Sequence, residues 1–158
     1  EIGKRTREFI RNDQLQPSDK FKPIRCFDVN MNKFDWNSVK GKKFTIIVGG
    51  LWCMTHGMDN SLPKQYFESI KGKYGDSHQL ILYVYCNDSE EMKEEIKVFG
   101  LEDYTVISDF KGRATPFTSI YNCQATPTCI YTDAEGIIVN IMEGLDTNYL
   151  ENEFILKQ

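Results

Sequence analysis

A chain of 158 residues suits one compact domain with a sizeable core. Its 41% hydrophobic and 27% charged content is that of a soluble globular protein. A net charge of −4 and a pI near 5.2 exclude nucleic acid as the main partner, since neutralising phosphates takes clustered Lys and Arg. No apolar run approaches the roughly 18 residues that a membrane span requires.

Residues 1–20 are polar and contain Pro17. Their basic positions (Lys4, Arg5, Arg7, Arg11) are interrupted by Glu1, Glu8 and Asp13, so a mobile or loosely packed arm is expected before a single domain over 21–158. The chain begins at Glu1 rather than Met. A start trimmed upstream, with any signal or lipid anchor removed, is therefore expected, and the lack of a leader says nothing about compartment.

"KPIRCFDVNMNKFDW" alternates in part and predicts an early strand or hairpin turning near Asn30–Asn32. "GKKFTIIVGG" is a β-branched apolar run bounded by glycines, hence a buried strand. In "LPKQYFESIKGKYG" the residues Leu62, Tyr66, Phe67 and Ile70 recur at helical spacing. "HQLILYVYC" predicts a second buried strand, with His78 facing solvent just ahead of it.

"DSEEMKEEIKVFG" reads as a helix capped by Asp88, with Glu91 completing a capping box and Gly100 stopping it. "YTVISDF" predicts a short strand, "TCIYTDAEGIIVNIME" a hairpin around "DAEG", and "DTNYLENEFIL" a closing amphipathic helix. Strands alternating with helices and ending in a hairpin imply an α/β domain with a mixed sheet covered on both faces.

Five cysteines (Cys26, Cys53, Cys86, Cys123, Cys129) are too few for a disulfide scaffold at this length. The odd count leaves at least one thiol unpaired within a monomer. Cys26 and Cys86 are expected to be structural, free or paired with each other, and Cys129 to be a core thiol. With two histidines and no CxxC, a dedicated metal centre is not expected.

Two motifs carry chemistry. "KGKKFTIIVGGLWC" delivers Trp52-Cys53 after a strand, and "ATPTCIYTDAEGIIV" places Thr126-Pro127-Thr128 ahead of the hairpin. Together, from about Phe27 to Leu150, they resemble the thioredoxin-like superfamily, in its TlpA/ResA-like, AhpC/TSA-related branch of thiol–disulfide oxidoreductases. The resemblance implies a thioredoxin-like fold with an N-terminal strand or hairpin extension. It also implies a cis peptide at Pro127 facing Cys53, no cofactor, and an extracytoplasmic location, bacterial periplasmic or membrane-anchored.

The physical reading agrees. Only thiolate attacks a disulfide, and a free cysteine with a pKa of about 8.5 is mostly protonated at neutral pH. A strand-to-helix junction offers unpaired N–H groups and a helix dipole that lower this value. Pro127 cannot donate a backbone hydrogen bond, and if cis it would leave the Thr126 backbone ready to pair with an extended substrate chain.

The departures matter as much. His56 stands where the family has its second cysteine, so a mixed disulfide on Cys53 lacks the usual internal thiol for release. Cys123 is the candidate resolving thiol. Pro63 lies ten residues after Cys53 where the family has a proline at eight, and Asp59 stands at the offset of the family's proton-transfer carboxylate. As an imidazolium His56 would stabilise thiolate, and as neutral imidazole it could act as a base.

The expected function is therefore thiol–disulfide chemistry through Cys53 and His56, with a protein or small-thiol partner held by Trp52, Thr126 and Pro127. A redox-inactive binding module is the alternative. A copper-handling protein using Cys53 and His56 is a further one.

Overall fold

The computed structural model describes residues 14–49, 64–65, 67–68, 71–72, 78–123 and 127–143. Two apolar runs set its centre. In β1 (Lys43–Val48) every residue after Lys43 is buried, as a strand covered on both faces requires. Its neighbours are β2 (His78–Tyr83), parallel, and β4 (Thr128–Thr132), antiparallel. β3 (Thr105–Ile107) lies parallel outside β2, and β5 (Ile138–Glu143) antiparallel outside β4. The order is β3-β2-β1-β4-β5, the mixed sheet expected.

Strand alternation sends side chains into two core layers. Ile47, Leu82, Cys129 and Tyr131 pack with Phe67, Met92, Ile96 and Phe99 on one face. Ile46, Val48, Ile81, Tyr83 and Ile130 pack with Cys26, Phe117, Tyr121 and Cys123 on the other. Cys129 is thus a core thiol opposite Ile130, as the alternation predicts.

The helix α1 (Ser89–Phe99) forms as its sequence dictates. The Asp88 carboxylate accepts from the Glu91 N–H at 2.8 Å, and Gly100 closes the helix at φ 65°. The Glu91 carboxylate reaches one residue further than a capping box would take it, accepting from the Asn87 N–H at 2.8 Å. Lys64, Gln65, Phe67, Glu68, Lys71 and Gly72 are helical, within the segment expected to be so. The closing helix over 146–156 lies outside the described residues.

Two expectations need correction. His78 is not solvent-facing: it is the first residue of β2, 8% exposed, with Nε2 2.7 Å from the Thr45 hydroxyl. It begins the strand instead of preceding it, so its ring is taken into the sheet. Cys26 and Cys86 are both free and buried, the first of the two states expected of them. The early strand is reduced to single bridges from Phe27 to Lys33 and to Ser108. The Asp28 carboxylate accepts from the N–H groups of Asn30 and Asn32, and this tight turn replaces a longer ladder.

Two further features were not anticipated. Residues 14–20 are tied to the body, with Leu15 N–H donating to Ile120 O and Ser18 N–H to Ile138 O, at 2.8 and 2.9 Å. The short helix α2 (Pro116–Ile120) is capped by Thr115, with Pro116 in its first turn.

Burial, with Lys43 nearby, lowers the His78 pKa to about 4. The unfolded chain takes up a proton near 6.5, whereas the folded protein resists it until near 4. The His78 contribution is therefore complete above pH 6.5 and declines as pH falls through that window. Urea unfolding should show a His78-dependent loss of about 2 kcal/mol between about pH 7.5 and about pH 5. A His78→Gln variant should lack that increment, and identical pH slopes for the two proteins would refute this reading.

Candidate functional site

In an open α/β sheet, ligands meet the carboxyl ends of the parallel strands. Here β1 ends at Val48, and the chain turns away at Gly49, whose φ of 149° favours glycine. The Gly49 N–H donates to the Tyr83 carbonyl at 3.0 Å, fixing the departure point against β2. On the other flank, Val48 pairs with Thr128, and the buried Pro127 directly precedes it. Residues far apart in sequence thereby meet at one edge of the sheet.

Of the residues expected to act, the structure describes Pro127 and Cys123. Trp52, Cys53, His56, Asp59 and Thr126 lie outside the described residues. What the fold fixes is the frame around them: the end of β1, from which the Trp-Cys segment emerges, stands beside the start of β4.

Cys123 lies at that frame but within the protein, 4% exposed. Burial pushes its thiol up to about 12, against a hydrogen bond with the Thr128 side chain that acts to lower it. Burial likewise pushes Cys26 and Cys129 up to about 12 and Cys86 to about 11. All four are protonated at neutral pH, so none is a ready nucleophile in this conformation.

Beside the same edge lies a cleft of about 420 Å³, lined by Leu15, Tyr121, Asn122, Thr128, Ile141 and Glu143. Its walls join apolar side chains to carboxamide and carboxylate groups, a mixture suited to a peptide segment. Among the described residues, no group of three His, Cys, Asp or Glu side chains could hold a metal ion.

Sequence reasoning passed over one further polar group. Asp109, 8% exposed and just beyond β3, accepts from the Tyr83 hydroxyl and from the Lys111 N–H, while its Oδ2 has no hydrogen-bond partner among the described residues. The backbone here is tightly held: Phe110 takes φ 58° and Gly112 φ 56°, and the Gly112 N–H donates to the Cys86 carbonyl at 3.1 Å. Ser108-Asp109 directly after an apolar strand was the available signal. A carboxylate after a strand usually marks a solvated turn, which hid it.

No family profile matches the chain, and no curated protein matches it in sequence. Solved structures do match. A thiol-disulfide oxidoreductase from Bacteroides fragilis aligns with a TM-score of 0.68 at 14% identity, covering 89% of this chain and all of its own (100%). The exposed lipoprotein thioredoxin Etrx1 from Streptococcus pneumoniae aligns with a TM-score of 0.65 at 19% identity, over 85% of this chain and 98% of its own. A thiol peroxidase from Chromobacterium violaceum aligns with a TM-score of 0.65 at 12% identity, over 92% and 88%. The chain therefore has the α/β thioredoxin-like fold, built on a mixed five-stranded sheet with flanking helices.

Proposed function

We propose that this protein carries out thiol–disulfide chemistry through Cys53 alone, by way of a mixed disulfide with a protein or small-thiol partner. The observation that carries the proposal is the register Val48↔Thr128, which brings the strand leading to Trp52-Cys53 beside Pro127. Four residues lie between Val48 and Cys53, so chain length confines the Cys53 Cα to within roughly 18 Å of that junction. The thiol-disulfide oxidoreductase and thioredoxin structures that share the fold support the same chemistry.

In the proposed step, the Cys53 thiolate attacks one sulfur of the partner's disulfide. A new S–S bond forms as the old one breaks, and the second partner sulfur leaves as thiolate. His56 favours ionised Cys53 by charge or hydrogen bonding. Trp52 and the backbone at Thr126 and Pro127 hold the partner as an extended segment.

Release of the mixed disulfide then requires a second thiol. Cys123, buried and held near 12, is a poor candidate in this conformation, which favours an external thiol. An extracytoplasmic location is part of the proposal, resting on likeness to an exposed lipoprotein thioredoxin. Among the described residues no helix is long and apolar enough to cross a membrane.

A redox-inactive binding module is the second reading, and His56 in place of a second cysteine favours it. Alkylation separates the two. In the native protein at neutral pH, iodoacetamide should modify Cys53 first, whereas Cys26, Cys86, Cys123 and Cys129 should react only after denaturation. The Cys53 midpoint should lie below the ordinary value of about 8.5, and His56→Ala should raise it by about one unit. An ordinary midpoint in wild type would leave the binding module.

Oxidised glutathione should give a mixed disulfide that Cys53→Ser abolishes, detectable as a mass increase. Equal adduct yields in wild type and Cys53→Ser would overturn the catalytic reading. Rapid native labelling of Cys123 would overturn the external-thiol step.

A further inference from the structure

At the opposite pole of the sheet, where β1 begins and the β4–β5 turn lies, is a pocket of about 300 Å³. This end is roughly 16 Å along β1 from the end at Val48, given the rise of a strand. The volume is at the lower limit for small-molecule sites, which admits a ring or a fused ring pair and excludes a nucleotide-sized group.

Three aromatic side chains shape its wall. Phe21 meets Phe44 edge-on, with ring centroids 5.2 Å apart at 84°, and leans on Trp36 at 5.1 Å and 49°. Phe21 and Phe44 are 8% and 3% exposed, so they are fixed by the core rather than free to collapse into the space. Trp36 is anchored by its indole N–H, which donates to the Ile24 carbonyl at 2.8 Å. The pocket is a preformed slot whose surfaces extend the tilted and edge-to-face contacts that aromatic rings prefer.

Charge at the mouth specifies the rest of the ligand. Lys20 and Lys40 line the pocket from two different segments, one bridged to Ile137 just ahead of β5 and one following the helical turn Trp36–Val39. Both are exposed, and among the described residues neither forms an ion pair. Most carboxylates at this pole are already committed to backbone. Asp19 accepts from the Gln16 N–H, Asp35 from Asn37, and Asp133 from Glu135 and Ile137. Glu135 is the acidic residue lining the pocket itself, and it stands against two lysines.

We propose that this pocket binds a small aromatic carboxylate, its ring between Phe21, Trp36 and Phe44 and its anionic end toward Lys20 and Lys40. Aromatic walls select the ring by area and geometry, and the lysines select carboxylate over amine. The site is independent of Cys53, and nothing in the thiol chemistry requires it.

The test uses phenylacetate as probe and the Trp36 indole N–H as reporter. The protein has two tryptophans, so the ¹H–¹⁵N spectrum holds two indole signals, and Trp52→Phe assigns them. Phenylacetate should move the Trp36 signal saturably with a midpoint in the millimolar range. The exposed double variant Lys20→Ala/Lys40→Ala should weaken binding about five- to ten-fold while remaining folded. Benzylamine, with the same ring and opposite charge, should leave the signal in place. The proposal fails if phenylacetate gives no saturable movement, if benzylamine binds equally, or if the double variant binds like wild type. Cys53→Ser should retain the phenylacetate response, so loss of thiol chemistry and loss of this site are separate results.

Discussion

The antiparallel ladder between β1 and β4 joins positions that lie far apart in the chain, pairing Val48 with Thr128 and Phe44 with Thr132. Because the side-chain period of a strand is two, a slip of one residue would exchange Ile46 with Ile47 and Cys129 with Ile130 between the two core layers. Both faces of the central sheet are buried, so no slipped pairing satisfies the layers equally well. The register follows from hydrophobic burial. The juxtaposition of the Trp-Cys segment's root with Pro127 follows from the register.

Burial also decides which sulfur can react. Desolvation keeps Cys26, Cys86, Cys123 and Cys129 protonated, with or without a hydroxyl nearby. The Thr128 hydrogen bond acts to lower Cys123, yet burial wins, since removing a thiolate from water costs more than one neutral hydrogen bond returns. The same balance raises the Tyr83 and Tyr121 phenols, which serve as packing elements with a polar end. Proximity to the site edge is thus not enough to make Cys123 a nucleophile.

Much of the fold was legible because its signals are local. The β-branched run Thr45–Val48, the Asp88 cap with Gly100 as stop, and the "DAEG" turn each follow from residues a few positions apart. What escaped depends on distant partners. His78 is a polar residue that the strand register pairs with Lys43 and whose ring reaches the Thr45 hydroxyl two positions along β1, and no local rule reports that contact. The bridge from Phe27 to Ser108 is likewise a contact between remote segments that no local rule reports. At the candidate site, Trp52-Cys53 and Thr126-Pro127-Thr128 stand out as motifs in the sequence, and of these the structure describes Pro127 and Thr128. Asp109 was not legible, since its hydrogen-bond partner Tyr83 comes from a strand 26 positions away in the sequence.

The four interior sulfurs carry a consequence for how the chain matures. Before collapse, each of these thiols is as open to oxidants as any cysteine in a flexible peptide, and wrong crosslinks among them would compete with correct assembly. After collapse the same groups are shielded by exclusion of water rather than by a reductant. In an oxidising compartment the hazardous interval is the one before the sheet closes. The speed of β1–β4 closure, a long-range step, would then govern the yield of correctly assembled protein.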